Sequence, residues 1–471
     1  MKHARRLVAA VLALTLATPA VRPAAGDGGE RDLGRRFLLE ARDQLPIMDD
    51  PAITEFVERV GHRIVEELGP QEFDYHFFVV QSSQLNAFAV PGGYVFVFSG
   101  LLAHVRNEDE LAGVLAHEIG HAHAHHMTRL QTQGAVWTVP ALLGMLAATI
   151  NPVLGAAAIA AAQTAQLKYS REYEQEADYL GLRFMSEAGY DPHALGSFFK
   201  VLLAEQRLNP AGVPAYMLTH PLTEDRVSHV ETSIAAQKLK TPPGRPASGT
   251  DLAEAQAVSR ALAGPVDSVV DEYRRQAAEK PNDAERQFLL GRVYQNVRQL
   301  DAARTALERA RDLGIGPRVD RPLGAVYVEL KAKGDAQAAL NRYLAKHPED
   351  GWSHLELGKA LADADDSQGA LKEFQRALTL DPDLDEAHRL AGLALGRQGN
   401  EADGFYHLAL ASRLRGDLEQ SLRQFQHTRD LLPLASPRRK EVELAIAELR
   451  PIVMERERDR MERQRRRPGL R

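Results

Sequence analysis

Residues 114–130, VLAHEIGHAHAHHMTRL, carry five histidines in ten positions: His117, His121, His123, His125 and His126. The first two belong to a stretch of the form H-E-x-x-H, His117-Glu118-Ile119-Gly120-His121. Four residues along an α-helix change the side-chain direction by only about 40°, so two imidazoles at that spacing reach one metal ion from one face. Glu118, beside the first of them, is placed to take a proton from a water acidified by the ion, and that supplies a nucleophile for hydrolysis. The other three histidines do not share this face. His123 points away from it, and His126 falls about 140° round from His121 on a continuous helix. A His121–His125 pair would have Ala122 next to its first ligand instead of a glutamate. All three are read as packing or surface residues.

Two histidines leave a metal site incomplete, so a further ligand is required. The stretch SREYEQEADYLGLRF from Ser170 offers one in the pattern E-x-x-x-D. Glu174 is the expected ligand. Asp178, one turn later, is the expected acceptor for the ring nitrogen of His117 or His121 that faces away from the metal.

These side chains need elements to hold them. NEDELAGVLAHEIGHAHAHHMTRL reads as one helix, with Asn107 as N-cap and Glu110 as its capping-box partner. Upstream, DDPAITEFVERVGHRIVEEL from Asp49 has apolar residues at helix spacing, Ile53, Phe56, Val57, Val60 and Ile64. Two strand-like runs follow, DYHFFVV from Asp74 and GYVFVFSG from Gly93, with Pro91-Gly92-Gly93 marking a turn.

The chain has 471 residues, 44% hydrophobic and 26% charged, enough for two or three globular domains. Its net charge of -6 gives no basic field of the kind that gathers nucleic acid, which is excluded as a partner. A basic start, Met1 to Arg6, leads into the apolar run Leu7 to Ala17 and then into small residues near Ala20 and Ala25. That is the plan of a secretory signal peptide over residues 1–25; the apolar run is short against the roughly 20 residues of a membrane span. An uncleaved anchor is the alternative. With no cysteine, an exported chain must hold together by packing alone.

Texture divides the rest into a mixed region at 27–240, a linker at 241–264, a helical region at 265–450 and a charged, solvated tail at 451–471. The linker carries the Pro- and Gly-rich KLKTPPGRPASGTD, Lys238 to Asp251. In the helical region a small residue follows an apolar one at Leu290-Gly291, Leu323-Gly324, Leu357-Gly358 and Leu408-Ala409. Small residues recur at Ala303, Ala336, Ala370 and Ser421, and bulky ones at Leu307, Leu340, Phe374 and Phe425. This is the tetratricopeptide (TPR) pattern, in which paired helices bury their apolar faces only by stacking on the next pair. Residues 259–281 read as a half repeat, and 385–400 as a helix pair interrupted by GRQGNEADG.

HEIGH, SREYEQEADYLG, the upstream NAFAVPGGYVFVFSGLL and the downstream THPLTEDR together resemble the metallopeptidase family that includes the HtpX and CAAX-prenyl proteases. The repeats after them resemble its periplasmic BepA branch. The fold implied is mainly α: a gluzincin-like α+β metallopeptidase domain with a small β-sheet, followed by an α-helical TPR superhelix. The resemblance implies one Zn2+ per chain on His117, His121 and Glu174, with Glu118 as general base and acid. It implies that the strand Asn86, Ala87, Phe88 and Ala89 is an edge against which an extended peptide pairs. His220 and Arg226 correspond to the family's His-Pro…Arg motif, near the metal, where they either stabilise the oxyanion or, for His220, fill the open zinc position and silence the site.

The expectation is thus an exported, periplasmic zinc endopeptidase acting on misfolded or unassembled envelope proteins, with TPR repeats that recruit substrates or partner proteins in outer-membrane protein quality control. Two alternatives stand beside it: a chaperone or assembly adaptor with a latent, His-blocked metal site, and a membrane-embedded protease. The uncharged stretch 130–167 is expected to form a hairpin packed on the site or in contact with a membrane surface, since Pro140 and Asn151-Pro152 divide it.

Overall fold

The computed structural model describes residues 27–132, 139, 142–143, 171–208, 214–240 and 249–466. The signal peptide expected at 1–25 and most of the stretch 130–167 lie outside these residues. The chain opens with α1 (Asp27–Gln44) and α2 (Pro51–Glu66). Asp50 caps α2 by accepting from the Ala52 N–H, and Pro51 is preset for the first turn. The apolar stripe Ile53, Phe56, Val57, Val60 and Ile64 is buried, as its spacing requires.

Three short strands follow, β1 (His76–Val80), β2 (Ala87–Val90) and β3 (Tyr94–Phe98), in the order β1-β3-β2. β1 runs parallel to β3 with His76 opposite Tyr94, and β2 runs antiparallel to β3 with Ala87 opposite Val97. Gly92 and Gly93 turn the β2–β3 hairpin at φ +86°, a conformation open to glycine at little cost. Alternation sends Ala87, Ala89, Val95 and Val97 into the main core with α2, and Phe88, Val90, Phe96 and Phe98 into a second core with Phe37 of α1 and Val139, Leu142 and Leu143. The outer edge of β2 pairs with no strand among the described residues.

α3 (Ser99–His104) leads to α4 (Glu108–His123), whose residues Glu110 to Ala122 are all buried. Asn107 accepts from the Glu110 N–H, and the Glu110 carboxylate reaches back to the Arg106 N–H at 2.7 Å. The single helix expected through Leu130 breaks: Ala124 ends α4, His125 takes φ +51°, and α5 (His126–Thr132) starts in a new direction. α6 (Arg171–Glu187) crosses α4 at backbone contact. A Cβ on Gly120 would lie 2.9 Å from the Ala177 carbonyl oxygen, and one on Gly181 would lie 3.1 Å from the backbone of Ala116 and His117. α7 (His193–Leu208), α8 (Ala215–Thr219) and α9 (Glu224–Gln237) close the unit.

Part of the expected linker is ordered helix. Residues 249–263 form α10 (Gly249–Ala263), which buries Leu252, Ala255 and Val258 in the main core, an i, i+3, i+6 face hidden among small residues. The repeats then run as α11 (Val266–Glu279), α12 (Ala284–Asn296), α13 (Leu300–Asp312), α14 (Asp320–Glu329), α15 (Lys333–Leu344), α16 (Gly351–Asp363), α17 (Ser367–Leu380), α18 (Asp385–Arg397), α19 (Glu401–Leu414) and α20 (Leu418–Leu431). Gly291, Gly324 and Gly358 sit against Leu307, Leu340 and Phe374 with no room for a Cβ, so the repeated small residues are the helix contacts themselves. The interruption expected at 385–400 is a hairpin turn: Gly399 at φ +82° ends α18 and Asn400 caps α19. The tail is not simply solvated either. α21 (Pro437–Arg466) runs through it and buries Ile452 and Val453.

No disulfide joins the two units, yet they are docked at both ends of the solenoid. Leu39 of α1 is buried among Phe425, Ile446, Leu449 and Val453, and Arg36 reaches Glu455 at 2.5 Å. At the other end Arg292 of α12 donates to both oxygens of Asp50 at 2.9 Å and to Glu254 of α10 at 2.7 Å. Between these contacts lies a cavity of about 900 Å³ walled by Glu55 and Glu58 of α2 and by Tyr343, Trp352, Asp381 and Asp383 of the repeats. Burial, and then the charges of Asp381, Glu55 and Asp383, push the Glu58 carboxyl up to about 7. A carboxyl whose pKa rises on folding favours the folded state fully below its ordinary 4.5 and loses that contribution as pH rises through about 7. Glu58→Gln should therefore match the wild type in thermal midpoint at pH 5 and exceed it at pH 8.5; equal midpoints at both pH values would count against the repulsion.

Candidate metal centre

His117 and His121 project from the same face of α4 with Nε2 atoms 3.0 Å apart, and Glu174 comes from the facing side of α6. Its carboxylate oxygens lie 3.6 Å from His117 Nε2 and 3.4 Å from His121 Nε2. His220, at the C-terminal end of α8, brings Nδ1 to 3.1 Å from Glu174 and 3.4 Å from His117 Nε2. One donor atom from each of these four buried residues lies within 4.8 Å of the others.

The chemistry of this set fits a divalent cation. Three imidazoles and a carboxylate converge, and burial holds the His121 imidazole well below its ordinary pKa, in the neutral form that binds metals. Among the described residues, Glu118 Oε1 is buried without a hydrogen-bond partner. A buried carboxylate oxygen left without a hydrogen bond is costly unless a cation faces it.

Glu118 lies between the donor set and the sheet. Its carboxylate accepts from the Ala89 N–H of β2 and stands 3.5 Å from His220 Nε2. Burial raises its pKa, against the opposing pull of His220 and His117, which leaves a carboxylate with an increased affinity for a proton. For His220 burial works downward, but the charges of Glu118 and Glu174 outweigh it and raise the imidazole above its ordinary value. Tyr216 stacks on His220 at 4.6 Å, and its N–H donates to the Leu85 carbonyl, tying α8 to the approach of β2.

Asp178 lies one turn after Glu174, with Oδ1 2.9 Å from His117 Nδ1. Thr223 caps α9 by accepting from the Arg226 N–H, and this fixes Arg226 on the first turn, facing α6. Arg226 Nε and Nη2 donate to Asp178 at 2.7 and 2.8 Å, and Nη1 reaches Glu174 at 2.5 Å. Burial alone would raise Asp178; Arg226 outweighs it and holds the carboxyl down at about 2. The oxyanion role expected for Arg226 finds no support in this placement, because the guanidinium is engaged by the site's own carboxylates and frames the donors instead.

Asn86 to Ala89 line the edge beside Glu118. Asn86 is buried, its carbonyl accepts from the Phe98 N–H, and its side-chain oxygen has no partner among the described residues. Of the remaining histidines, His123 packs edge-on against Phe184 and His125 pairs with Glu30 and Glu72, as packing and surface residues do. His126 packs, but toward His121 and not away from it. It is fully buried, with Nδ1 2.8 Å from His121 Nδ1. The break at His125 re-aims it, and no glycine or proline in AHAHHM announces that break.

Residues 51–234 match the family described as Peptidase family M48. A Vibrio cholerae protein named as a beta-barrel assembly-enhancing protease is 34% identical over 288 residues, 58% of each chain. The beta-barrel assembly-enhancing protease of Escherichia coli is 28% identical over 394 residues, 74% of this chain and 81% of that one. The mitochondrial metalloendopeptidase OMA1 of Schizosaccharomyces pombe is 32% identical over 211 residues, 45% of this chain and 61% of that one.

Removing one partner of a buried charge set leaves the others uncompensated, at a cost of about 3–5 kcal/mol. Arg226→Met should lose stability on that scale in urea unfolding, because Asp178 and Glu174 would stay buried without their cation. A change below about 1 kcal/mol would place Arg226 outside the charge balance.

Proposed function

We propose, from the match of residues 51–234 to Peptidase family M48, that this chain is a zinc-dependent endopeptidase, exported to the periplasm, that hydrolyses peptide bonds of misfolded or unassembled envelope proteins. The observation that carries this reading is the convergence of His117, His121 and Glu174 beside a buried Glu118 that is itself bonded to a strand edge unpaired among the described residues. His117, His121 and Glu174 would hold the zinc. When bound there, it supplies a Lewis acid that acidifies water and polarises the scissile carbonyl.

The chain's own residues supply the rest. An extended substrate adds to the outer edge of β2, where backbone hydrogen bonds hold it regardless of sequence and bring a peptide bond alongside Glu118. Glu118 takes the proton of the attacking water and returns it to the leaving amine; its raised pKa suits both steps. Asp178 fixes the ring of His117, and Arg226 fixes Asp178 and Glu174 together. Docked on the peptidase unit, the repeats offer the kind of surface by which TPR arrays hold peptides and proteins. Relatives named for enhancing beta-barrel assembly support a role in outer-membrane protein quality control, with the repeats recruiting substrates or assembly partners.

Glu118→Gln keeps the shape of the side chain and removes its basicity. The purified variant should retain zinc on elemental analysis and lose at least about 100-fold in casein cleavage, the lower bound for loss of a general base. Proteolysis at the wild-type rate by the zinc-loaded variant would sink the assignment.

The position of His220 supports a second reading. Its Nδ1 belongs to the same converging donor set, and a fourth protein ligand closes a tetrahedral zinc site to water. His220 would then gate the enzyme, or silence it permanently and leave an assembly adaptor. Casein cleavage by His220→Ala separates the two, since a gated protease gains or changes activity while an adaptor stays inert. Among the described residues no helix is long and apolar enough to cross a membrane, and most of the stretch 130–167, on which a membrane-embedded protease would depend, lies outside them.

A further inference from the structure

A histidine that gives Nε2 to a metal carries its proton on Nδ1, and that N–H needs an acceptor to fix the ring. His117 has one in Asp178, at 2.9 Å. His121 faces another imidazole instead, with its Nδ1 2.8 Å from Nδ1 of His126. With Nε2 of His121 turned to the donor set, its Nδ1–H donates and the bare Nδ1 of His126 accepts. The proton of His126 is then on Nε2, which lies 3.1 Å from Glu176 Oε2. Glu176 in turn accepts from Arg129 at 2.8 Å. The His126 ring is stacked on Tyr173 at 4.6 Å and 15°, and the Arg129 guanidinium lies 4.5 Å from the same ring.

The backbone is arranged to allow this. On an unbroken helix His126 would point about 140° away from His121. His125 breaks the helix in the left-handed region, which a residue with a Cβ rarely adopts. Its side chain is held from both sides, by Glu30 of α1 at 3.0 Å and by Glu72 at 3.3 Å, and Glu30 also bonds Thr128 of α5. The strained turn and its clamps thus bring His126 beneath His121.

We propose that His126 is a positioning residue of the metal centre: it fixes the tautomer and ring orientation of His121 and is itself anchored by Glu176 and Arg129. The two histidine ligands are then backed differently, His117 by a buried carboxylate locked to Arg226, and His121 by a neutral imidazole relayed to a carboxylate at the surface. The inference rests on the zinc reading of His117, His121 and Glu174.

The test uses the full chain and Zn2+ alone, with zinc affinity measured by chelator competition and the thermal midpoint of the metal-free protein measured alongside. His126→Phe keeps a ring on Tyr173 and removes both nitrogens. Its zinc affinity should fall about 10- to 100-fold with the metal-free midpoint unchanged. His126→Asn, whose side-chain oxygen stands near the place of Nδ1, should recover most of that loss, and Glu176→Gln should show a smaller one. Wild-type affinity in His126→Phe overturns the inference. If His126→Phe lowers the metal-free midpoint, His126→Asn and Glu176→Gln decide, and equal loss of zinc in Asn and Phe variants counts against a hydrogen-bonding role. A wild-type chain that binds no zinc removes the metal reading and this inference together, whereas zinc bound equally by wild type and His126→Phe removes the inference alone.

Discussion

The approach of α4 to α6 is set by two glycines. Gly120 lies against the Ala177 carbonyl and Gly181 against the backbone of Ala116 and His117, with no space for a side chain at either point. Helices that touch backbone to backbone bring short donors on one within reach of short donors on the other. His117 and His121 can therefore meet Glu174 and Asp178 without any of them being extended, and the same crossing closes the site to solvent. An alanine at either glycine would press its Cβ against the facing backbone and oblige the helices to shift.

Closure has an electrostatic consequence. Glu118, Glu174 and Asp178 are all buried, and Arg226 is the buried guanidinium that faces two of them. Charges in such an interior persist only when paired and hydrogen-bonded. Arg226 meets that need for Asp178 and for one side of Glu174. The Glu118 oxygen that remains without a hydrogen bond faces His220, and Glu174 Oε1 faces His121 and His220, which is the arrangement a bound cation would complete.

The docking of the repeats follows the same logic at larger scale. A chain without cysteine holds its two units together by pairing guanidinium groups with carboxylates at both ends of the solenoid, around the apolar contact of Leu39. Asp50 serves twice, capping α2 and receiving Arg292. Between the anchored ends lies the cavity onto which Glu58 and the carboxylates of Glu55, Asp381 and Asp383 face.

Local periodicity was enough to read the H-E-x-x-H pair, the E-x-x-x-D pair, the repeat helices and the strands, because spacings of two, three or four residues translate directly into faces. The sequence also showed the capping of α4 and the small residues between repeat helices. It did not show α10, whose buried face has one leucine and one valine among small residues behind a Pro- and Gly-rich segment, nor the burial of Ile452 and Val453 in a tail that reads as charge. It misdirected His126, since helix geometry applied to an unbroken helix turns that ring away. The break at His125 is stabilised by Glu30 and Glu72, 95 and 53 residues back in the chain, and Arg226 is fixed by carboxylates 48 and 52 residues before it. By itself the sequence singled out the residue types and spacings that could carry metal chemistry. Which of them meet, and what holds each ring in place, was decided by tertiary packing, because those contacts depend on distances between segments that no local spacing encodes.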